Sequence, residues 1–86
     1  MSFFVYMIKT NDTKKTKTYV GYTNSLFNRL KKHNSNKGAK STKGRKWIII
    51  FKKKFISKSK AMSYEYKLKN NKTKRKKLLK KILKII

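Results

Sequence analysis

The chain has 86 residues, of which 27 are lysine or arginine and only two, Asp12 and Glu65, are acidic, for a formal charge of +25. Its length supports one small domain, residues 1–86, with a modest core. The absence of cysteine excludes disulfides and thiolate metal sites, so any metal must use oxygen ligands or the one histidine. A charge of this size seeks polyanions, because each lysine or arginine that neutralises a phosphate releases a condensed counterion. That names a class of partner and no reaction. Lysine, asparagine and isoleucine are also what AT-rich coding sequence favours, so compositional drift is a second source of the lysine excess.

The elements follow in chain order. Phe3 to Lys9 is a run of aromatic and β-branched residues, apolar on both faces, and reads as a strand covered on both sides and central in its sheet. Asn11 to Lys17 is a polar turn, and Thr18 to Tyr22 reads as the second strand of a hairpin. Thr23 or Asn24 can cap a helix from Ser25 to about Asn34, with Leu26, Phe27 and Leu30 at helical spacing. Gly38 to Arg45 is a basic loop with two glycines. Trp47 to Phe51 is the strongest strand signal and can extend to Phe55. Ser57 or Ser59 can cap a helix that runs to about Lys69, and Asn70 and Asn71 break it. A last helix from Lys74 to Ile86 places Leu78, Leu79, Ile82, Leu83 and Ile86 on one side. The order β-β-α-β-α-α predicts an α+β domain built on a three-stranded antiparallel sheet flanked by helices. The start of the chain lacks a basic leader and a small-residue cleavage site, and no apolar run approaches the roughly 20 residues of a membrane span. A soluble, cytoplasmic protein is expected.

Several residues stand out as carriers of chemistry. Arg29 and His33, spaced i, i+4, share one helix face beside the Leu26/Leu30 stripe, where a guanidinium could fork onto a phosphate and an imidazole could hold a proton. An ordinary surface arginine and a partly exposed histidine would have the same spacing. Tyr6 and Tyr19 come together on one sheet face if their strands pair, either as packing or as phenols whose ionisation the surrounding positive charge favours. Gly21, inside a strand, marks the close approach of another element or a ligand, or else a bulge. Glu65 lies within the helix that runs to Lys69. It could pair with Lys69 at i+4, or it could hold Mg²⁺, which keeps several waters and completes its shell with substrate phosphate.

Read together, these residues resemble a known family. Val5-Tyr6-Met7, Tyr19-Val20-Gly21, the run from Thr23-Asn24 through Arg29-Leu30 to His33, the Gly38-Ala39-Lys40 loop, Trp47 and the Ala61 to Glu65 spacing resemble the GIY-YIG endonuclease domain in order and separation. The resemblance spans almost the whole chain and is closest to the small stand-alone bacterial members related to the N-terminal nuclease domain of UvrC. It implies a three-stranded antiparallel sheet flanked by helices and hydrolysis of a DNA phosphodiester with one divalent ion, Mg²⁺ or Mn²⁺. By position, Tyr6 and Tyr19 would be the motif tyrosines, one of them activating water. Arg29 would stabilise the pentacovalent phosphate, His33 would position or share the proton, and Glu65 would hold the metal. Lys40 and Arg45 are the nucleic-acid contacts expected from the basic loop. The first triplet departs from the pattern, with Val5 in place of glycine and Met7 in place of isoleucine.

The leading expectation is therefore a metal-dependent endonuclease-like domain acting on DNA, including branched or damaged structures, in repair or recombination. RNA remains open as a partner, and no membrane partner is expected. A non-catalytic, basic nucleic-acid-binding protein on the same fold is the alternative. Membrane-surface attachment through the last helix is a third reading, against which stands packing of that helix on the core.

Overall fold

A computed structural model describes residues 2–11 and 16–85, without the side chains of residues 41 and 83–85. Most of the expected polar turn, with Asp12, lies outside the described residues, as do the side chains of Leu83 and Ile86. The elements are β1 (Phe3–Thr10), β2 (Thr18–Thr23), α1 (Leu26–Asn34), a 3-10 turn (Lys40–Thr42), β3 (Trp47–Phe55), α2 (Lys58–Lys69) and α3 (Lys72–Ile85). The strands form one sheet in the order β2-β1-β3, antiparallel throughout. The sequence order β-β-α-β-α-α and the three-stranded antiparallel sheet are those expected.

β1 is central because it is apolar on both faces, and its alternation sends side chains to two different clusters. Val5 and Met7, both fully buried, pack with Val20 and with Ala61 and Leu68 of α2. Tyr6 and Ile8 pack on the opposite face with Trp47, and Leu26 and Leu30 of α1 close over them. α3 joins the first cluster through Leu78.

One irregularity tunes this division. Met7 pairs with Phe51 and Ile8 with Ile49, which leaves Ile50 as an extra residue in β3. Because alternation has a period of two, one inserted residue reverses the faces beyond it. Ile49 accordingly packs with the Tyr6 cluster, and Phe51 with the Met7 cluster. A bulge of this kind leaves no mark in an unbroken run of isoleucines.

The helix ends refine the expected boundaries. α1 starts after Ser25, neither Thr23 nor Asn24 being its cap. The Thr23 hydroxyl is engaged instead by Ser25, accepting from its N–H at 3.1 Å and donating to its carbonyl at 3.3 Å. Ser57 caps α2 by accepting from the Lys60 N–H at 3.4 Å. α3 begins two residues earlier than expected, because Asn71 Oδ1 accepts from the Lys74 N–H at 3.0 Å and so satisfies an orphan donor of the first turn. Among the described residues, no helix is long and apolar enough to cross a membrane.

Candidate active site

The α1 face of the sheet carries the polar residues singled out in the sequence. Tyr6 pairs with Gly21 across β1 and β2, and Tyr19 lies two residues along on the same face. The two rings stand 6.4 Å apart between centroids. Gly21 makes room for them: a Cβ there would lie 2.5 Å from Tyr6 Oη and 3.1 Å from Tyr19 Cε2. The close approach at Gly21 is therefore that of the two phenol rings.

α1 delivers Arg29 and His33 to this point one helical turn apart. His33 is wholly buried rather than flanking the core. Its Nε2 lies 2.9 Å from Tyr6 Oη and its Nδ1 lies 2.9 Å from Thr42 Oγ1, while its ring centroid is 5.0 Å from that of Tyr19. Arg29 donates from Nε to Tyr6 Oη at 3.3 Å. The segment after α1 folds back tightly enough that a Cβ on Gly38 would collide with His33 Nδ1 and sit 3.0 Å from the His33 Cα. Glycine at 38 is thus a packing requirement of the histidine.

The electrostatics follow from burial and from Arg29. Burial raises the pKa of the Tyr6 phenol, and this outweighs the hydrogen bond and charge of Arg29, which pull the other way. The expectation that surrounding positive charge favours phenolate does not hold for Tyr6, because desolvation of the anion costs more than Arg29 returns. Arg29 is held more firmly protonated, chiefly by its hydrogen bond to Tyr6. His33 is pushed below the ordinary histidine range by burial and then by the charge of Arg29, so its ring is neutral at pH 7.

Glu65 approaches from α2, which also contacts β1 and β2. Its side chain is 17% exposed and Oε1 lies 3.3 Å from Lys69 Nζ, the i, i+4 ion pair that the spacing allows. Lys69 in turn sits over the Tyr19 ring at 5.8 Å, and the Glu65 charge is near enough to contribute to the raised pKa of Tyr6. The fold therefore gathers Tyr6, Tyr19, Arg29 and His33 by direct contact and links Glu65 to them through Lys69.

Lys40 and Arg45 lie on the segment between α1 and β3. Lys40 is exposed at the start of the 3-10 turn. Arg45 lines a hollow of ≈ 220 Å³ with Thr10, Asn11 and Lys46. Thr10 is four residues along β1 from Tyr6, roughly 14 Å at the rise of an extended strand. Thr42 is the residue that sequence reasoning missed. It is fully buried, its carbonyl accepts from Trp47 Nε1 at 3.0 Å, and nothing in a polar Lys-Ser-Thr-Lys run marks it as a partner of a histidine nine residues earlier.

Beside the cluster an open groove of ≈ 260 Å³ runs along the start of α1, lined by Tyr22, Asn24, Asn28, Arg29 and Lys32 among others. Arg29 is shared between the two, donating from Nε to the phenol and lining the groove.

A small antiparallel sheet brings paired tyrosines to an arginine and a buried histidine, with one carboxylate on a neighbouring helix, an arrangement that fits a nuclease-like domain. Residues 2–78 match the GIY-YIG catalytic domain, and the chain belongs to that family. Its relatives are small bacterial proteins. A UPF0213 protein of Oceanobacillus iheyensis is 45% identical over 67 residues, 77% of this chain and 74% of that one. UPF0213 protein YazA of Bacillus subtilis is 43% identical over 76 residues, 87% and 74% of the two chains. The solution NMR structure of a UPF0213 protein from Bacillus halodurans is 36% identical and superimposes with a TM-score of 0.53, covering 95% of this chain and 85% of that one.

Proposed function

We propose that the six helices and strands act as a single catalytic unit, a metal-dependent endonuclease that hydrolyses DNA phosphodiester bonds in repair or recombination. The observation that carries this reading is the double engagement of Arg29, hydrogen-bonded to Tyr6 and bordering the polar groove. A phosphoryl transition state gathers negative charge, and a guanidinium fixed beside it stabilises that charge without reorganising. One of the two tyrosines assists the attacking water, and the contacts of Tyr6 with Arg29 and His33 favour Tyr6 as the residue that exchanges a proton with the histidine. Lys40 and Arg45 supply contacts to the nucleic-acid backbone.

Glu65 is the residue that would hold the metal. Among the described residues no three histidine or carboxylate side chains cluster, which rules against an all-protein cage. A lone, partly exposed carboxylate fits Mg²⁺ or Mn²⁺, ions that keep water ligands and accept phosphate oxygens. Such an ion, when bound, supplies charge neutralisation at the phosphate. Lys69 then has to share or release the carboxylate.

The test is cleavage of plasmid and branched DNA with and without Mg²⁺. Arg29→Ala and Glu65→Ala are each expected to lower the rate by about 10²- to 10³-fold, while salt-sensitive DNA binding persists on the strength of the +25 charge. Equal rates for the wild type and Glu65→Ala would remove the metal role. Binding without cleavage by the wild type on every substrate would instead favour a non-catalytic nucleic-acid-binding protein on the same fold.

A further inference from the structure

Thr42 has no part in the reaction just described, yet its hydroxyl is buried between two partners. His33 Nδ1 lies 2.9 Å away on one side and the Ala39 carbonyl oxygen 2.7 Å away on the other. A hydroxyl carries one proton, and a carbonyl oxygen can only accept. The Thr42 proton is therefore committed to Ala39. Toward His33 the hydroxyl offers a lone pair, so Nδ1 must carry the ring hydrogen.

The consequences run through the cluster in one direction. A neutral imidazole has a single N–H, which leaves Nε2 as an acceptor. Nε2 faces Tyr6 Oη at 2.9 Å, so the phenol donates to it. Arg29 Nε donates to the same oxygen from its other side at 3.3 Å. The donors point in sequence from Arg29 to Tyr6, from Tyr6 to His33, from His33 to Thr42, and from Thr42 to the Ala39 carbonyl. Thr42 is itself anchored, because the buried Trp47 indole donates to its carbonyl and its N–H donates to Ala39 at 3.0 Å.

We infer that Thr42 is a positioning residue that holds His33 as the Nδ1–H tautomer, so that Nε2 stands ready to take the proton of the Tyr6 hydroxyl. This rests on the proposed reading, in which His33 shares a proton with Tyr6. In the transfer the Tyr6 O–H bond breaks and an Nε2–H bond forms. The phenol oxygen takes the proton of the attacking water as its own leaves, so the phenolate that burial disfavours does not accumulate, and the imidazolium keeps its Nδ1–H on Thr42. No other hydrogen bond in the loop has to change, and the proton returns along the same path. With the opposite tautomer Nε2 would already be protonated, and Tyr6 would have no acceptor.

The chain has one histidine, so an untagged, ¹⁵N-labelled sample gives a single pair of imidazole nitrogen signals. At neutral pH the wild type is expected to show protonated Nδ1 and bare Nε2. Thr42→Ser, which keeps the hydroxyl, should retain that pattern and the wild-type cleavage rate. Thr42→Val should lose the pattern toward protonated Nε2 and cleave about 10- to 100-fold more slowly, the usual cost of removing the partner that orients a histidine. A wild type with protonated Nε2, or a Thr42→Val protein with the wild-type signals, overturns the inference. Because the tautomer is read without substrate, the serine variant and the wild type test it even if the valine variant fails to fold. Correct tautomers in a wild type that cleaves nothing would uphold the positioning role and overturn the catalytic reading alone.

Discussion

The two faces of the sheet use the same strand for opposite purposes. On the α2 side, Val5, Met7, Val20, Ala61 and Leu68 form a cluster of apolar side chains. On the α1 side, Tyr6, His33 and Thr42 are as completely buried but are joined by hydrogen bonds through nearly every polar atom they carry. Burial without polar groups contributes stability through area removed from water, with little demand on orientation. Burial of polar groups returns little net stability and imposes strict geometry, because an unmatched donor or acceptor there is costly. Both faces bury apolar side chains, and the second also fixes where protons and charges sit.

Substitutions can break this division or sharpen it. Met7→Ala removes a fully buried side chain from the apolar face and is expected to cost about 2–5 kcal/mol, measured by urea unfolding, with cleavage per folded molecule unchanged. A loss of rate as large as that of Arg29→Ala would end the separation of roles. Gly21→Ala adds one methyl to the polar face, against Tyr6 Oη and the Tyr19 ring. Overpacking there should cost about 1–3 kcal/mol and, unlike Met7→Ala, lower the rate of the folded protein as well, since the phenol must move from His33 and Arg29. Full activity in that variant would show that the position of Tyr6 is not demanding.

The smallest effect is a pH slope. The pKa of His33 is depressed in the folded protein, by burial first and then by Arg29, so protons bind the unfolded chain more readily. Its contribution to stability is complete above about pH 6.5, the ordinary histidine value, and is lost as pH falls through the lower folded value. The slope is at most ~1.4 kcal/mol per pH unit. Among the side chains of this sequence, His33 is the one of a type whose ordinary value lies in this window. Unfolding free energies from pH 8 to pH 5 should decline for the wild type and stay level for His33→Asn.

Much of this architecture was legible in the sequence. The central place of β1 followed from its two apolar faces, and the approach of Tyr6 and Tyr19 on one sheet face from the hairpin. The spacing put Arg29 and His33 on one helix face, because a helix fixes what lies four residues away, but an ordinary surface pair would have had the same spacing. What the sequence did not disclose depends on contacts between distant segments. The depth of His33 depends on the fold-back at Gly38, the role of Thr42 on a short 3-10 turn, and the reversal of faces in β3 on one unpaired isoleucine. The phenolate expectation failed for a related reason. Net charge is a property of composition, whereas the state of Tyr6 is set by local desolvation.

Trp47 gives the polar face a property that chemistry alone does not. It is the sole tryptophan, buried at 3% exposure, and its indole nitrogen is tied to the carbonyl of Thr42. An indole in that setting emits as a shielded fluorophore until its hydrogen bond or its cover is disturbed. The protein thus carries an intrinsic optical probe linked to the histidine through Thr42, and a change in its emission on adding nucleic acid would report on that turn without any label.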